Sequence, residues 1–183
     1  ERLDELPQAT IDDFKALQYD VVSLQARDLL KIFLQHLPEG DIKSRLKNWS
    51  CQYSPESHEA SLFQRLYRNI LLEIFGQPSK EQGGIGWRRM FYLASRIGYS
   101  TTVITAIDAL LQKDSSTWWD QRDKAAMIRK AAESLREKDD RPWSEVNAFR
   151  FTNRFFEGDR AGRLLGFHTG EFSMPGNHAT PFQ

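Results

Sequence analysis

Histidine and cysteine are the residue types of this chain best suited to metal binding. A zinc site on a helix needs two such ligands about one helical turn apart, so that both lie on the same face. The four histidines lack that spacing, and a single cysteine, Cys51, cannot form an internal disulfide. We therefore predict no metal site and no cofactor, and interpret the histidines as partners in local hydrogen bonds. The histidines are His36, His58, His168 and His178, and the acids near the first three are Glu39, Glu59 and Glu171.

Nucleophilic catalysis needs a serine or cysteine on a strained turn with a base within reach, and the sequence has no nucleophile-elbow pattern. We interpret Cys51, which follows Trp49 and Ser50 in a predicted turn, as a small, half-buried residue. Paired carboxylates fall where helices are predicted to begin or end, so we interpret them as caps. The pairs are Asp12 with Asp13, Glu56 with Glu59, and Asp139 with Asp140. We assign no catalytic residue and identify no substrate-binding residue.

Glycine and arginine clusters suggest two kinds of ligand. The run Gly83-Gly84-Ile85-Gly86 resembles a phosphate-binding loop, but it follows no predicted strand, so we interpret it as part of a flexible loop over 77–86. Arginines among aromatic residues would suit nucleic acid, but acids interrupt them and the formal net charge is zero. These arginines are Arg141, Arg150, Arg154, Arg160 and Arg163. We predict that they pair with acids or carbonyls, and that the chain binds neither nucleic acid nor membrane.

Apolar residues follow helical spacing through most of the chain, whose 183 residues suit a single domain with its own core. After residue 143, aromatic residues are separated by glycine, asparagine and proline, which predicts an extended strap held on the helices by aromatic side chains. The predicted segments are helices at 10–37, 41–48, 57–75, 87–97, 100–112 and 118–138, and the strap at 143–183. The predicted fold class is mainly α: an irregular multi-helix domain with a C-terminal aromatic-rich strap and one or two short strands.

The stretch Ser57–Phe75 is predicted to be the central helix. Its apolar stripe is so broad that few polar residues are left to face water. These residues are Ser61, Gln64, Arg65, Arg68 and Asn69. Within the first predicted helix, we expect any irregularity at Val21-Val22-Ser23.

Several segments, in order, resemble the penicillin amidase (penicillin acylase) family of N-terminal-nucleophile hydrolases. They are FKALQYDVVSLQARDLL within 10–37, SHEASLFQRLYRNILLEIF, SSTWWD, and PWSEVNAFRF, GRLLGF and SMPGNHATPFQ near the end. The resemblance implies the helical region of the large chain, followed by a strap that returns to a sandwich-like core. It implies a secreted or periplasmic enzyme that hydrolyses acyl amide bonds, such as a β-lactam side chain or an acyl-homoserine lactone.

In that family, an N-terminal serine of the large chain is both nucleophile and base. By the apparent register, that serine, its oxyanion-hole groups and the family's calcium ligands precede Glu1, so none is assigned to a residue here. We therefore expect a helical fragment that partners the small chain and the catalytic core. The alternative is a free-standing helical module that binds another protein through the loop at 77–86 or through the strap.

Overall fold

The chain folds mainly as α-helices, as predicted, with one small two-stranded sheet. The computed structural model describes residues 8–75, 100–117, 119, 123–135, 140–149, 155, 160–167 and 170–181. The helices in these ranges are α1 Ile11–Gln18, α2 Leu24–His36, α3 Asp41–Asn48, α4 His58–Phe75, α5 Ser100–Leu111, α6 Lys124–Glu133, α7 Trp143–Val146 and α8 Arg160–Leu164. The strands are β1 Ala148–Phe149 and β2 Phe172–Ser173. The predicted helix at 87–97 and the loop at 77–86 lie outside the described residues.

The long helix predicted at 10–37 is two helices, and the break lies where the irregularity was expected. Thr10 begins α1 with a capping box, since its hydroxyl accepts from the Asp13 N–H while the Asp13 carboxylate accepts from the Thr10 N–H. Between α1 and α2, Val22 forms an antiparallel bridge with Gln52, which requires extended backbone. Ser23 then begins α2 by accepting a hydrogen bond from the Ala26 N–H at 3.1 Å.

Helix α4 is the centre of the core, as its broad apolar stripe predicts. It packs most extensively on α6 and also contacts α3 and α7, while α2 packs on α3, α5 and α6. Phe63 of α4 stacks against Phe33 of α2 and lies 5.5 Å from the ring of Trp49, centroid to centroid. Burying one such aromatic side chain contributes roughly 1.5–3 kcal/mol. The side chains of α4 therefore hold several neighbouring helices in place.

The prediction that Ser61 faces water is wrong. Its side chain is fully buried, and its Oγ makes no hydrogen bond within the described part of the chain. Gln64, Arg65 and Asn69 are half-buried, which leaves Arg68 as the exposed residue of the predicted polar set. Because α4 has neighbours on several sides, most of its polar side chains are at least partly covered by other parts of the chain.

The C-terminal segment is attached through Trp143. The Trp143 indole N–H donates to the carbonyl of Gly176 at 2.9 Å, and its ring meets Tyr53 edge-on at 4.9 Å. The Gly176 N–H donates to the Tyr53 carbonyl at 2.8 Å. Trp143 is thus one of the aromatic residues that hold the strap, as predicted. The described apolar residues further along are more than one-third exposed. They are Phe149, Phe155, Leu164, Leu165, Phe167 and Phe172.

Both strands and two helices, α7 and α8, lie within the predicted strap. In the antiparallel sheet, Ala148 pairs with Ser173 and Phe149 with Phe172, whose rings are 6.4 Å apart. The Asn147 side chain donates to the Met174 carbonyl at 2.8 Å, next to this sheet. Helix α8 is a short helix that the prediction of an extended segment missed. Within the described ranges, no helix has both the length and the apolar character needed to cross a membrane.

Candidate functional site

A carboxylate on α5, Asp108, is enclosed where three helices meet. The Tyr67 hydroxyl of α4 donates to its Oδ1 at 2.5 Å, and the Gln25 side-chain amide of α2 donates to its Oδ2 at 2.5 Å. Each oxygen of the carboxylate thus has its own neutral donor from a different helix. The hydrogen bonds satisfy a group that would otherwise be costly to remove from water.

Burial governs the protonation of this cluster. Desolvation raises the pKa of Asp108 above its ordinary value, although the hydrogen bonds from Tyr67 and Gln25 and the charge of His178 oppose this. Desolvation, reinforced by the charge of Asp108, also raises the pKa of Tyr67, so its hydroxyl remains a donor. Desolvation lowers the pKa of His178, and Asp108 opposes that shift, although much of this histidine's surface is exposed.

The cluster is suited to holding helices together rather than to catalysis. Both Asp108 oxygens are engaged by donors, and Tyr67 cannot lose its proton near neutral pH. No group of three or more potential metal ligands occurs among the described residues. The sequence does contain a signal for Asp108: it is the one acid in the otherwise neutral helix STTVITAIDALL.

A second charged cluster joins α3, the start of α4 and the segment before α7. The Arg45 guanidinium lies 3.0 Å from Asp140, 3.3 Å from Glu59 and 3.7 Å from Asp41. Asp140 also lies 3.2 Å from the Nδ1 of His58. The hydrogen bond from Arg45 is the main reason that the pKa of Asp140 is lowered. The guanidinium of Arg45 therefore connects acidic residues that are distant from one another in the sequence.

The comparison with known proteins gives the family. A model of the penicillin amidase family matches residues 1–183, which is the whole chain. The chain belongs to the penicillin amidase family. A search of curated proteins finds no match.

In this penicillin amidase family member, the histidines are not paired as predicted. His58 contacts Asp140 instead of its neighbour Glu59. Glu39 bonds to Lys43 rather than to His36, whose pKa is lowered chiefly by desolvation. His168 lies outside the described residues, so its expected partner stays a prediction.

Cys51 is more buried than predicted and is not an activated nucleophile. It is 6% exposed, and desolvation raises the pKa of its thiol. Its φ of 61° lies in the left-handed region, which is unusual for a residue other than glycine. A thiol with a raised pKa remains protonated near neutral pH and is a weak nucleophile.

The acidic pairs and the arginines predicted from the sequence have different outcomes in the structure. Asp13 does cap α1, as expected, whereas Asp140 forms the ion pair described above. Arg141, Arg160 and Arg163 are exposed, and the pairing with acids or carbonyls predicted for them stays a prediction. Asp139, the glycine run at 83–86, and the arginines at 150 and 154 lie outside the described residues.

Proposed function

We propose that this chain is the helical part of a penicillin-amidase-like hydrolase that cleaves acyl amide bonds, and that the nucleophilic serine lies in another part of that protein. The family match over residues 1–183 carries the proposal. The state of two potential nucleophiles agrees with it. Cys51 is a buried thiol with a raised pKa, and the Ser61 hydroxyl is enclosed within the core.

The contribution of this chain would be mechanical support for the substrate cleft. Helices α2, α4 and α5 are joined at Asp108, and α4 also packs on α3 and α6. A rigid support matters because the reacting groups of a hydrolase must be held close to their productive geometry. The substrate would be an acyl amide of the β-lactam side-chain or acyl-homoserine-lactone type, and the protein would be periplasmic or secreted.

The exposed apolar residues of the C-terminal segment support a partner surface on this chain. Phe149 and Phe172 form a cross-strand pair, and both are more than one-third exposed. Leu164 at the end of α8 is 88% exposed. Exposed apolar residues that lie together mark interaction surfaces more often than isolated ones do. The proposed partner is the remainder of the hydrolase, that is, its small chain and catalytic core.

The test compares this chain alone with a longer product of the same reading frame. Both would be assayed with a penicillin and with an acyl-homoserine lactone, and folding would be checked by circular dichroism. We expect the chain alone to be helical and inactive, and the longer product to release the free amine. Hydrolysis by the chain alone that is lost on changing a serine, cysteine or histidine within it would refute the proposal. A reading frame confined to these residues would favour the free-standing interaction module.

A matched pair of variants tests the partner surface. Phe172→Ser removes an aromatic ring from the exposed pair, whereas Glu171→Ser changes the exposed neighbouring residue without altering the apolar surface. In the longer product, we expect Phe172→Ser to lower the yield of active enzyme and Glu171→Ser to leave it unchanged. Equal yields from both variants would show that this surface does not contact the rest of the hydrolase.

A further inference from the structure

A polar cleft of about 520 Å³ lies between α3 and the first turn of α4. The segment at 49–57, which connects the two helices and pairs as a strand at Gln52, forms part of its wall. The lining residues used below are Arg45, Trp49, Gln52, Ser54, Glu56 and Glu59. All of these residues are at least partly exposed.

The wall of the cleft presents one edge of extended backbone. On its other edge, the Cys51 carbonyl accepts from the Ser23 N–H, and the Tyr53 N–H donates to the Val21 carbonyl. The C=O and N–H of a trans peptide point in opposite directions, so the Gln52 N–H points away from Ser23, the partner of the Cys51 carbonyl, and the Ser54 N–H points away from Gly176, the partner of the Tyr53 carbonyl. Side chains alternate too, since Cys51 and Tyr53 are buried while Gln52 is exposed.

Two backbone N–H groups on this edge are available to a ligand. The Gln52 carbonyl accepts from the Trp49 indole N–H at 3.1 Å. The N–H groups of Gln52 and Ser54 have no hydrogen-bond acceptor within the described part of the chain. Unpaired donors along an extended edge can be satisfied by another extended chain, which adds its own strand to the edge.

The charges around the cleft favour a cationic occupant. The guanidinium of Arg45 is already shared among Glu59, Asp41 and Asp140. Glu56 is exposed and has no ion pair among the described residues. Trp49 also lines the cleft and is partly exposed, while its ring packs on Tyr53 and Phe63.

We propose that this cleft binds an extended basic peptide, whose backbone pairs with the edge at Gln52 and Ser54 and whose lysine or arginine side chain lies between Glu56 and Trp49. The backbone contacts would provide sequence-independent affinity, and the charge would select the side chain. This binding requires no nucleophile, so it is independent of amide hydrolysis.

The test is a nuclear magnetic resonance titration of the full chain with a short, acetylated and amidated peptide that alternates threonine and lysine. We expect saturable shifts at the amides of Gln52 and Ser54 and at the Trp49 indole N–H. The same peptide with alternate amide groups replaced by trans-alkenes, which keep the extended shape but lack the carbonyl acceptor, should bind at least about tenfold more weakly, since the two hydrogen bonds from the Gln52 and Ser54 N–H groups are lost at about 1 kcal/mol each. Equal binding of the alkene-containing peptide would overturn the proposed backbone pairing.

Charge selection is tested with a variant and a second peptide. Glu56→Gln should weaken binding about threefold, as expected for one exposed charge pair, whereas Glu133→Gln on the distant helix α6 should not change it. Replacing the peptide's lysines by glutamates should abolish saturable binding. Spermidine, a cation without a peptide backbone, should not shift the Gln52 and Ser54 amides. Equivalent shifts with spermidine or with the acidic peptide would overturn the proposal, as would shifts confined to other parts of the chain.

Discussion

The hydroxyl of Tyr67 should stabilise the fold mainly because its acceptor is a carboxylate. In the structure, it donates to Asp108 at 2.5 Å, in a site where burial already raises the pKa of that carboxyl. A hydrogen bond to a charged group contributes about 1.5–3 kcal/mol, against about 0.5–1.5 kcal/mol for a neutral pair. Tyr67→Phe should therefore lower the free energy of unfolding by about 1.5–3 kcal/mol at a pH where Asp108 is ionised.

The chain supplies a matched control at Tyr53. This tyrosine is also buried, and its hydroxyl donates to the neutral Gln64 side-chain oxygen at 3.2 Å. Tyr53→Phe removes the same atom, so it should cost only about 0.5–1.5 kcal/mol. Urea unfolding followed by circular dichroism would give the free energy of unfolding for both variants and the wild type.

The acceptor also makes the two substitutions differ in their dependence on pH. As pH falls and Asp108 gains a proton, the bond from Tyr67 becomes one between neutral groups, so the cost of Tyr67→Phe should shrink. The cost of Tyr53→Phe should stay constant, because Gln64 does not titrate in this range. If Tyr67→Phe cost no more than Tyr53→Phe at a pH where Asp108 is ionised, or if its cost did not change in acid, the Asp108 carboxylate would not be the source of its stability.

Three further substitutions test the charged and buried polar groups, all by urea unfolding across pH. The raised pKa of Asp108 means that its contribution is complete below the unfolded pKa and is lost as pH rises through the folded pKa, so Asp108→Asn should gain stability relative to wild type from acid to neutral pH. The lowered pKa of Asp140 gives the opposite sign: its contribution is present above the unfolded pKa and is lost as pH falls through the folded pKa. Asp140→Asn should therefore cost up to about 1 kcal/mol at neutral pH and nothing in strong acid. Ser61→Ala removes a buried hydroxyl that has no hydrogen-bond partner among the described residues, so it should leave stability unchanged or raise it by about 1 kcal/mol. A loss of stability would imply a partner for Oγ.

Local sequence signals predicted the elements whose ends are set by nearby residues. Thr10 and Asp13 form the expected capping box, and α3 has the predicted bounds of 41–48. The break at Val21-Val22-Ser23 was also placed correctly, although its cause was not visible. That cause is pairing with the segment around Gln52, a contact made across about thirty residues of chain that periodicity cannot report.

The polar clusters were missed because their members come from different helices. Gln25, Tyr67 and Asp108 have no common local pattern, and each is unremarkable in its own helix. His58 shows the same limit. Its neighbour Glu59 was the expected partner, but folding brings Asp140 to its Nδ1 instead. Sequence spacing ranks near neighbours first, whereas packing of α4 against distant segments decides which charged groups meet.

Trp143 shows how an aromatic residue attaches the C-terminal segment, as its composition predicts. Trp143 offers both a large ring and an N–H, so it can pack on Tyr53 and also satisfy the Gly176 carbonyl. Phenylalanine can supply only apolar area, and Phe149 and Phe172 remain 44% and 37% exposed. Two-residue strands contribute little stability by themselves, and a two-stranded sheet of this kind is marginal in water. Covering the two rings would add roughly 1.5–3 kcal/mol for each one fully buried. The order of this sheet should therefore depend on a partner surface, while the attachment at Trp143 should not.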